Sequence, residues 1–385
     1  MRATFPIDMP QNALLNRSTQ NVSSLLPHDT APTYTPKERA LKQLHLLLYQ
    51  SGLSSLYAYL KVHIKHESVA SILMYHSIPS AAEIEWIDPC NSLSAEAFET
   101  QIRFLAEHRH VISLGRLVEQ IENGEPIRRG TVAITFDDGY RNNLTVAAPI
   151  LAKYNVPATI YLATAYVEKG ESQWIDILYS AFRARSQHQL NLESFSIASL
   201  GKWNLADDRQ RQQAYRAITS CLIEASVECR QALLQEIDQQ LAPKAYPPRL
   251  ALSWDEVRVL KDKYPDITLG IHTANHLDLR THSDQTAKEM EIAIEQMMRE
   301  TGDRPEHLAF PYNRYSEQAQ AQVIAAQLKS AVVATDDPIV RGNTFLYALP
   351  RLDAPKSMLL LKSWTNGGFP DVSNRLLGRK WIHPF

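Results

Sequence analysis

Cysteine is scarce in this sequence: Cys90, Cys221 and Cys229 are too few and too irregularly spaced for a disulfide framework, and no CxxC pair suggests a structural zinc site. A reducing compartment fits that usage. Long apolar runs are missing as well. No stretch approaches the roughly eighteen uninterrupted apolar residues of a membrane span. The opening MRATFPIDMPQNALLNRSTQ lacks the basic start, apolar run and small-residue cleavage site of a secretory signal, so cytoplasmic residence is the expectation. An excess of charge of either sign is also absent. Lys and Arg total 40 against 42 Asp and Glu, a formal net charge of -2, which gives no general electrostatic reason to bind nucleic acid.

What is present is the composition of an ordinary folded protein, with 44% hydrophobic, 8% aromatic and 21% charged residues. The 385 residues exceed the usual single domain, although barrels of alternating strands and helices reach this length with insertions. Residues 1–35 mix Asn, Ser, Thr, Pro and Gln with little periodicity and are expected to form a loose arm without chemistry. Residues 36–70 are expected to form an amphipathic helical extension: over 36–65, Leu, Tyr and Ala recur at helical spacing, broken at Ser51-Gly52. That extension either packs on the main domain or makes a weak contact with a membrane surface, a role its sparse basic residues do little to favour.

From residue 71 to the end, short apolar runs alternate with helical patterns, as in parallel strands joined by crossover helices. The pattern predicts strands at 71–79, 132–136, 158–163, 267–271, 307–310 and 330–335. Helices are predicted at 94–108, 142–154, 253–263, 284–300 and 316–328. Ser94 is a candidate cap, and Ser253 with Glu256 a candidate capping box. The alternation stops over 182–248, where polar helices with modest apolar stripes read as an insertion. The alternation fits a doubly wound sheet or a barrel equally well.

Two motifs stand at strand ends, where α/β proteins build their sites. In TFDDGY, Asp137 and Asp138 occupy a turn closed by Gly139. Adjacent carboxylates repel unless a cation neutralises one or they share a proton, and a metal is the simpler solution. Taken alone, an Asp-Asp-Gly turn more often only ends a strand and caps the next helix. In GIHTANHLDL, His272 and His276 are spaced so that both imidazoles reach one side of a helical turn or compact loop. Two imidazoles and one carboxylate make a facial metal site suited to hydrolysis, whereas HxxxH by itself is more often a surface or packing pair. Finding both motifs at strand ends favours the metal.

TFDDGY, HTANH and AFPYNRY together resemble, in order, the motifs of the polysaccharide deacetylases, carbohydrate esterases acting on chitin, peptidoglycan, xylan and biofilm polysaccharides. The resemblance runs, less specifically, from ILMYHSIP to ALPRLDAP. It implies a distorted (β/α) barrel of about seven strands, carrying the helical insertion and the N-terminal extension, and a divalent metal, commonly zinc. It also implies an acetylated glycan or glycan precursor as partner. Asp137 would be the base that activates water, and Asp138, His272 and His276 the metal ligands. The N–H of Tyr312 would receive the oxyanion, with Pro311, Tyr312 and Asn313 forming the substrate loop.

Two departures from that pattern stand out. Asn313 occupies a position where many members carry Gly, and SMLLLKSW lacks the late histidine that protonates the leaving amine. By location His76, ending the first predicted strand, is the best replacement, and core hydrogen bonding is its plainer role. His383 falls in a tail without a predicted place. Arg351 either pairs with the base and holds it ionised or faces solvent at a strand end. Trp174, Trp254 and Tyr312 offer stacking faces for sugars or pack the core. N-deacetylation is the leading expectation. O-acetyl esterase activity is an alternative, and a glycan-binding protein without turnover is an alternative of another class.

Overall fold

The structure is a computed structural model and describes residues 69–366 apart from 198 and 336–338. The expected arm at 1–35, the helical extension up to residue 68, the membrane contact expected of 36–65 and His383 lie outside the described residues.

Eleven strands are described in chain order: β1 Val69–Tyr75, β2 His110–Val111, β3 Thr131–Phe136, β4 Ala158–Leu162, β5 Gln189–Asn191, β6 Lys202–Asn204, β7 Ile267–Ile271, β8 His307–Ala309, β9 Ser330–Ala334, β10 Ile339–Arg341 and β11 Leu349–Asp353. Seven of them, in the order β1, β11, β9, β8, β7, β4, β3, run parallel, and β3 pairs back with β1 from Ala70 opposite Thr131 to Tyr75 opposite Phe136. The sheet therefore closes, and the expected (β/α) barrel is borne out. β2 adds to the outer edge of β3, and β10 runs antiparallel beside β1.

Closure explains the strand sequences. Strands covered on both faces read as continuous apolar runs, and β1, β3 and β4 are buried throughout. Successive side chains nevertheless alternate between two clusters. Leu73, Ile134, Ile160, Ile271 and Leu308 pack outward with Phe98, Ile102, Leu260 and Met290 of the surrounding helices. Ala70, Ile72, Ala133, Tyr161, Ala309, Val332 and Leu349 pack inward, where Leu114, Leu117 and Val118 join them. Extending this alternation one residue past β1, β3 and β7 puts His76, Asp137 and His272 on the inward parity, which Arg351 of β11 shares with Leu349. Four residues distant in sequence thus converge at the C-terminal mouth because the side-chain period is two.

The helices are α1 Ala95–His108, α2 Leu114–Glu122, α3 Ala148–Lys153, α4 Thr164–Lys169, α5 Trp174–Ala184, α6 Asp208–Glu224, α7 Val227–Leu241, α8 Trp254–Lys263, α9 Thr286–Thr301, α10 Glu317–Ala325 and α11 Met358–Trp364. Ser94 caps α1, and α8 carries the full Ser253–Glu256 capping box. Over 182–248 the chain forms the β5–β6 hairpin, α6 and α7. With α5 these build a separate small core from Leu178, Phe182, Leu190, Ile218, Leu222, Leu233 and Ile237. Among the described residues no helix is long and apolar enough to cross a membrane.

Candidate active site

Three loops meet at the barrel mouth, and each is built from backbone that most residues avoid. Five of the nine non-glycine residues with positive φ among the described residues lie here: Asp138, Thr273, His276, Tyr312 and Asn313. Asp and Asn tolerate this region better than most, whereas a β-branched Thr does not. After β3, Asp137 N donates to Tyr75 O at 3.0 Å, and Asp138 and Gly139 turn the chain at φ 74 and 71. A Cβ on Gly139 would sit 2.8 Å from Leu162 Cδ2, so the turn needs glycine for space as well as conformation.

After β7, His272 Nδ1 lies 2.8 Å from Ala309 O. A carbonyl can only accept, so Nδ1 carries the proton and Nε2 keeps its lone pair. That Nε2 is 3.7 Å from Asp138 Oδ1, and His276 Nε2 is 3.2 Å from the same oxygen. Asp138, His272 and His276, all buried, each offer one ligand atom, and these atoms lie within 4.8 Å of one another. Burial pushes His272 down to about 4 despite Asp137, so it stays neutral as a ligand must. Burial works against ionising Asp138, but His276, His76 and His272 more than offset it and hold the carboxyl below the usual range. The donor set fits a divalent ion.

Asp137 faces the same space without belonging to that triad. Both of its oxygens accept from the buried Arg351, Nη1 and Nη2 each at 2.7 Å, and Nη1 also reaches Thr135 Oγ1 at 3.2 Å. The guanidinium lies over Tyr161, 5.7 Å from the ring centre. Burial raises the Asp137 pKa, yet Arg351 and His272 outweigh it, and the carboxyl rests below its ordinary value. Arg351 therefore meets Asp137 and not solvent. His76, half-buried, is near enough for its charge to act on both aspartates.

The Pro311–Asn313 turn follows β8. Pro311 is buried, and Asn313 Oδ1 accepts from Ala334 N at 2.8 Å. The Tyr312 ring stands edge-on to His276 with centres 4.5 Å apart. Its hydroxyl accepts from Trp174 Nε1 at 2.7 Å and donates to His276 O at 3.1 Å. Trp174 and Trp254 are 3% and 8% exposed, and the Trp254 indole N–H bonds Glu168, so both pack the protein and present no open face to a sugar.

Two further polar residues touch the histidine loop and were not singled out from sequence: Arg230 of α7 and Glu289 of α9. Each sits on the buried stripe of its helix, Arg230 with Leu233, Ile237 and Leu241, Glu289 with Met290, Ala293 and Met297. A charge on an apolar stripe is the signal that could have found them.

The polysaccharide deacetylase profile matches residues 124–331, more than half of the chain. The chain belongs to the polysaccharide deacetylase family. The matched span holds both aspartates, both histidines and the Pro311–Asn313 turn, while His76 and Arg351 lie outside it. A curated relative, the candidate polysaccharide deacetylase YxkH of Bacillus subtilis (strain 168), is 27% identical over 154 residues, 39% of this chain and 51% of that protein. The chain thus spans about half the length of this relative. Among solved structures, the Streptococcus pyogenes deacetylase PplD in complex with acetate shares the fold with a TM-score of 0.51 at 17% identity, covering 78% of this chain and 99% of PplD. A de-N-acetylase from Aggregatibacter actinomycetemcomitans superposes at 0.49 with 15% identity over 77% of this chain and 100% of its own.

Proposed function

We propose that this family member is a metal-dependent hydrolase removing N-acetyl groups from an N-acetylated glycan or glycan precursor. Asp137 is the base, and Asp138, His272 and His276 hold a divalent ion, zinc by the donor set. The observation that carries this reading is the division of labour within the aspartate pair. Both aspartates approach His272 Nε2, at 3.8 and 3.7 Å, but Asp138 alone also lies 3.2 Å from His276 Nε2, whereas both Asp137 oxygens are taken up by Arg351.

When bound, the ion supplies Lewis acidity that acidifies water and polarises the acetyl carbonyl. Asp137 takes the proton of the attacking water. Arg351 keeps that carboxylate ionised beforehand and fixes its direction, at the cost of some basicity. The Tyr312 N–H, set by a left-handed φ of 55, is the donor for the developing oxyanion. His76, half-buried beside both aspartates, donates a proton to the departing amine, the role left open by the missing late histidine. Acetate and a free amine result. Pro311 and Asn313 shape the turn that carries Tyr312 and borders the substrate.

The test is acetate release from N-acetylglucosamine oligomers by metal-reconstituted wild type and Asp137→Asn, with bound metal measured in both. Wild type should turn over, and Asp137→Asn should keep its metal while losing about 10²- to 10⁴-fold in rate. Release from acetylated xylan alone would move the reading to O-deacetylation. Inertness of wild type toward both, and toward lipid-linked sugars, would favour a glycan-binding role.

A further inference from the structure

The segment joining the two histidines is gripped from both sides by opposite charges. Thr273 and His276 adopt φ of 62 and 53, strained conformations that persist only where surroundings impose them. On one side Glu289, 4% exposed, takes the N–H groups of Ala274 and Asn275 on Oε2 at 3.1 and 2.7 Å, and Asn275 Nδ2 on Oε1 at 2.7 Å. On the other side Arg230, 3% exposed, donates from Nη1 to Asn275 O at 3.0 Å and from Nη2 to His276 O at 3.2 Å. Its remaining donors reach Leu222 O, the Tyr166 hydroxyl and the Tyr312 hydroxyl at 3.2, 3.5 and 3.4 Å. All five guanidinium N–H groups are thereby used, and the group lies over Trp174 at 5.6 Å.

We propose that Arg230 and Glu289 are positioning residues that clamp the His272–His276 loop and aim His276 at the metal, so that the helical insertion is part of the metal centre's support. This rests on the metal-centre reading above. A carboxylate accepts N–H groups and a planar guanidinium forks onto adjacent carbonyls, so the two charges hold opposite polar edges of the same loop. Simple attachment of the insertion does not require this aim. Tyr215 bonds Asp88 at 2.6 Å and Arg183 pairs with Glu85 at 2.5 Å, fastening the insertion and α5 elsewhere. Lysine cannot replace the fork, because one ammonium cannot meet three carbonyls and two hydroxyls in that geometry.

The experiment is Co²⁺ titration of the full apo chain, followed by visible absorption and by thermal unfolding without metal, for wild type, Asp138→Asn, Arg183→Met, Arg230→Met, Arg230→Lys and Glu289→Gln. Arg230→Met and Glu289→Gln should each weaken Co²⁺ binding about 10- to 100-fold and alter the absorption bands, the usual effect of losing a partner behind a ligand. Arg230→Lys should recover little, and Arg183→Met should bind like wild type. A variant that merely loosens the fold would unfold earlier yet bind Co²⁺ with the wild-type spectrum, and that result in folded Arg230→Met and Glu289→Gln overturns the clamp. If Arg230→Met does not fold, Arg230→Lys and Glu289→Gln decide by the same criteria. If wild type binds no Co²⁺, or Asp138→Asn binds equally well, the metal centre itself fails and takes the clamp with it.

Discussion

The two ends of the barrel treat buried polarity in opposite ways. At the C-terminal mouth Asp137, Asp138, Arg351, Arg230 and Glu289 are all nearly inaccessible, and each is met by an opposite charge or by several hydrogen bonds. At the other end the first residues of β8 and β9 place His307 against Ser330, with Nδ1 2.9 Å from Oγ. Burial pushes His307 down to about 4, so it sits there uncharged. A protein can bury a polar ring cheaply by leaving it neutral. Burying five charges within one face is costly unless they are paired, and such arrangements cluster where chemistry needs fixed ionised groups. The left-handed residues follow the same division, since five of nine lie at the mouth.

Removing one partner at the mouth tests the contrast most severely. Arg351→Met leaves Asp137 buried without its counter-charge and should lower stability by about 3–5 kcal/mol, read as an earlier denaturant midpoint. Asp137→Asn combined with Arg351→Met should recover much of that loss, because neither charge then remains. Wild-type stability in the single variant would mean that the mouth charges are solvated after all.

The strands were legible because parallel strands covered on both faces are mostly apolar, as 132–136 and 267–271 are, each interrupted by one Thr. The candidate site was legible because the aspartate pair and His272 stand directly after such runs, with His276 four residues beyond. Closure was legible only through the family resemblance, since β1 meets β3 through a pairing across about sixty residues of chain, and strand sequences by themselves carry no record of which edges join. Arg230 and Glu289 escaped for a different reason. Both are helical charges that look solvated unless their stripe is traced, and Arg230 lies in a stretch whose polar composition hid its buried face. Conformation was half visible: Asp-Asp-Gly announces a turn, whereas nothing in Thr273 announces φ 62.

The quiet end gives a smaller, pH-dependent effect. The folded pKa of His307, about 4, lies below the ordinary 6.5, so between these values the unfolded chain binds more protons and stability falls as the medium is acidified. The contribution of this ring is fully present above pH 6.5, and its loss should reach about 2 kcal/mol from pH 7 to pH 5 and about 3 by pH 4. An asparagine side chain has no titrating group but can still bond Ser330, so His307→Asn should flatten that part of the profile. Denaturant midpoints at pH 7 and 5 in both proteins isolate the difference. Equal slopes would mean that His307 charges freely in the fold.

Outside the barrel, polar groups face water, and the expected effects shrink again. Ser253 N donates to Glu256 Oε2 at 3.1 Å while Glu256 N donates to Ser253 Oγ at 3.3 Å, closing the start of α8. Ser253→Ala removes one acceptor that water can replace and should cost about 1 kcal/mol in the denaturant midpoint. Its bearing on the comparison lies in what should stay fixed. α8 packs behind β7 on the outward cluster, whereas His272 points inward and is oriented by Ala309, so Co²⁺ affinity should be unchanged. If Ser253→Ala weakened metal binding as much as the loss of Arg230, support for the mouth would be spread through the whole helical shell. The sharp boundary between a strained, charge-clamped rim and an ordinary frame would then be wrong.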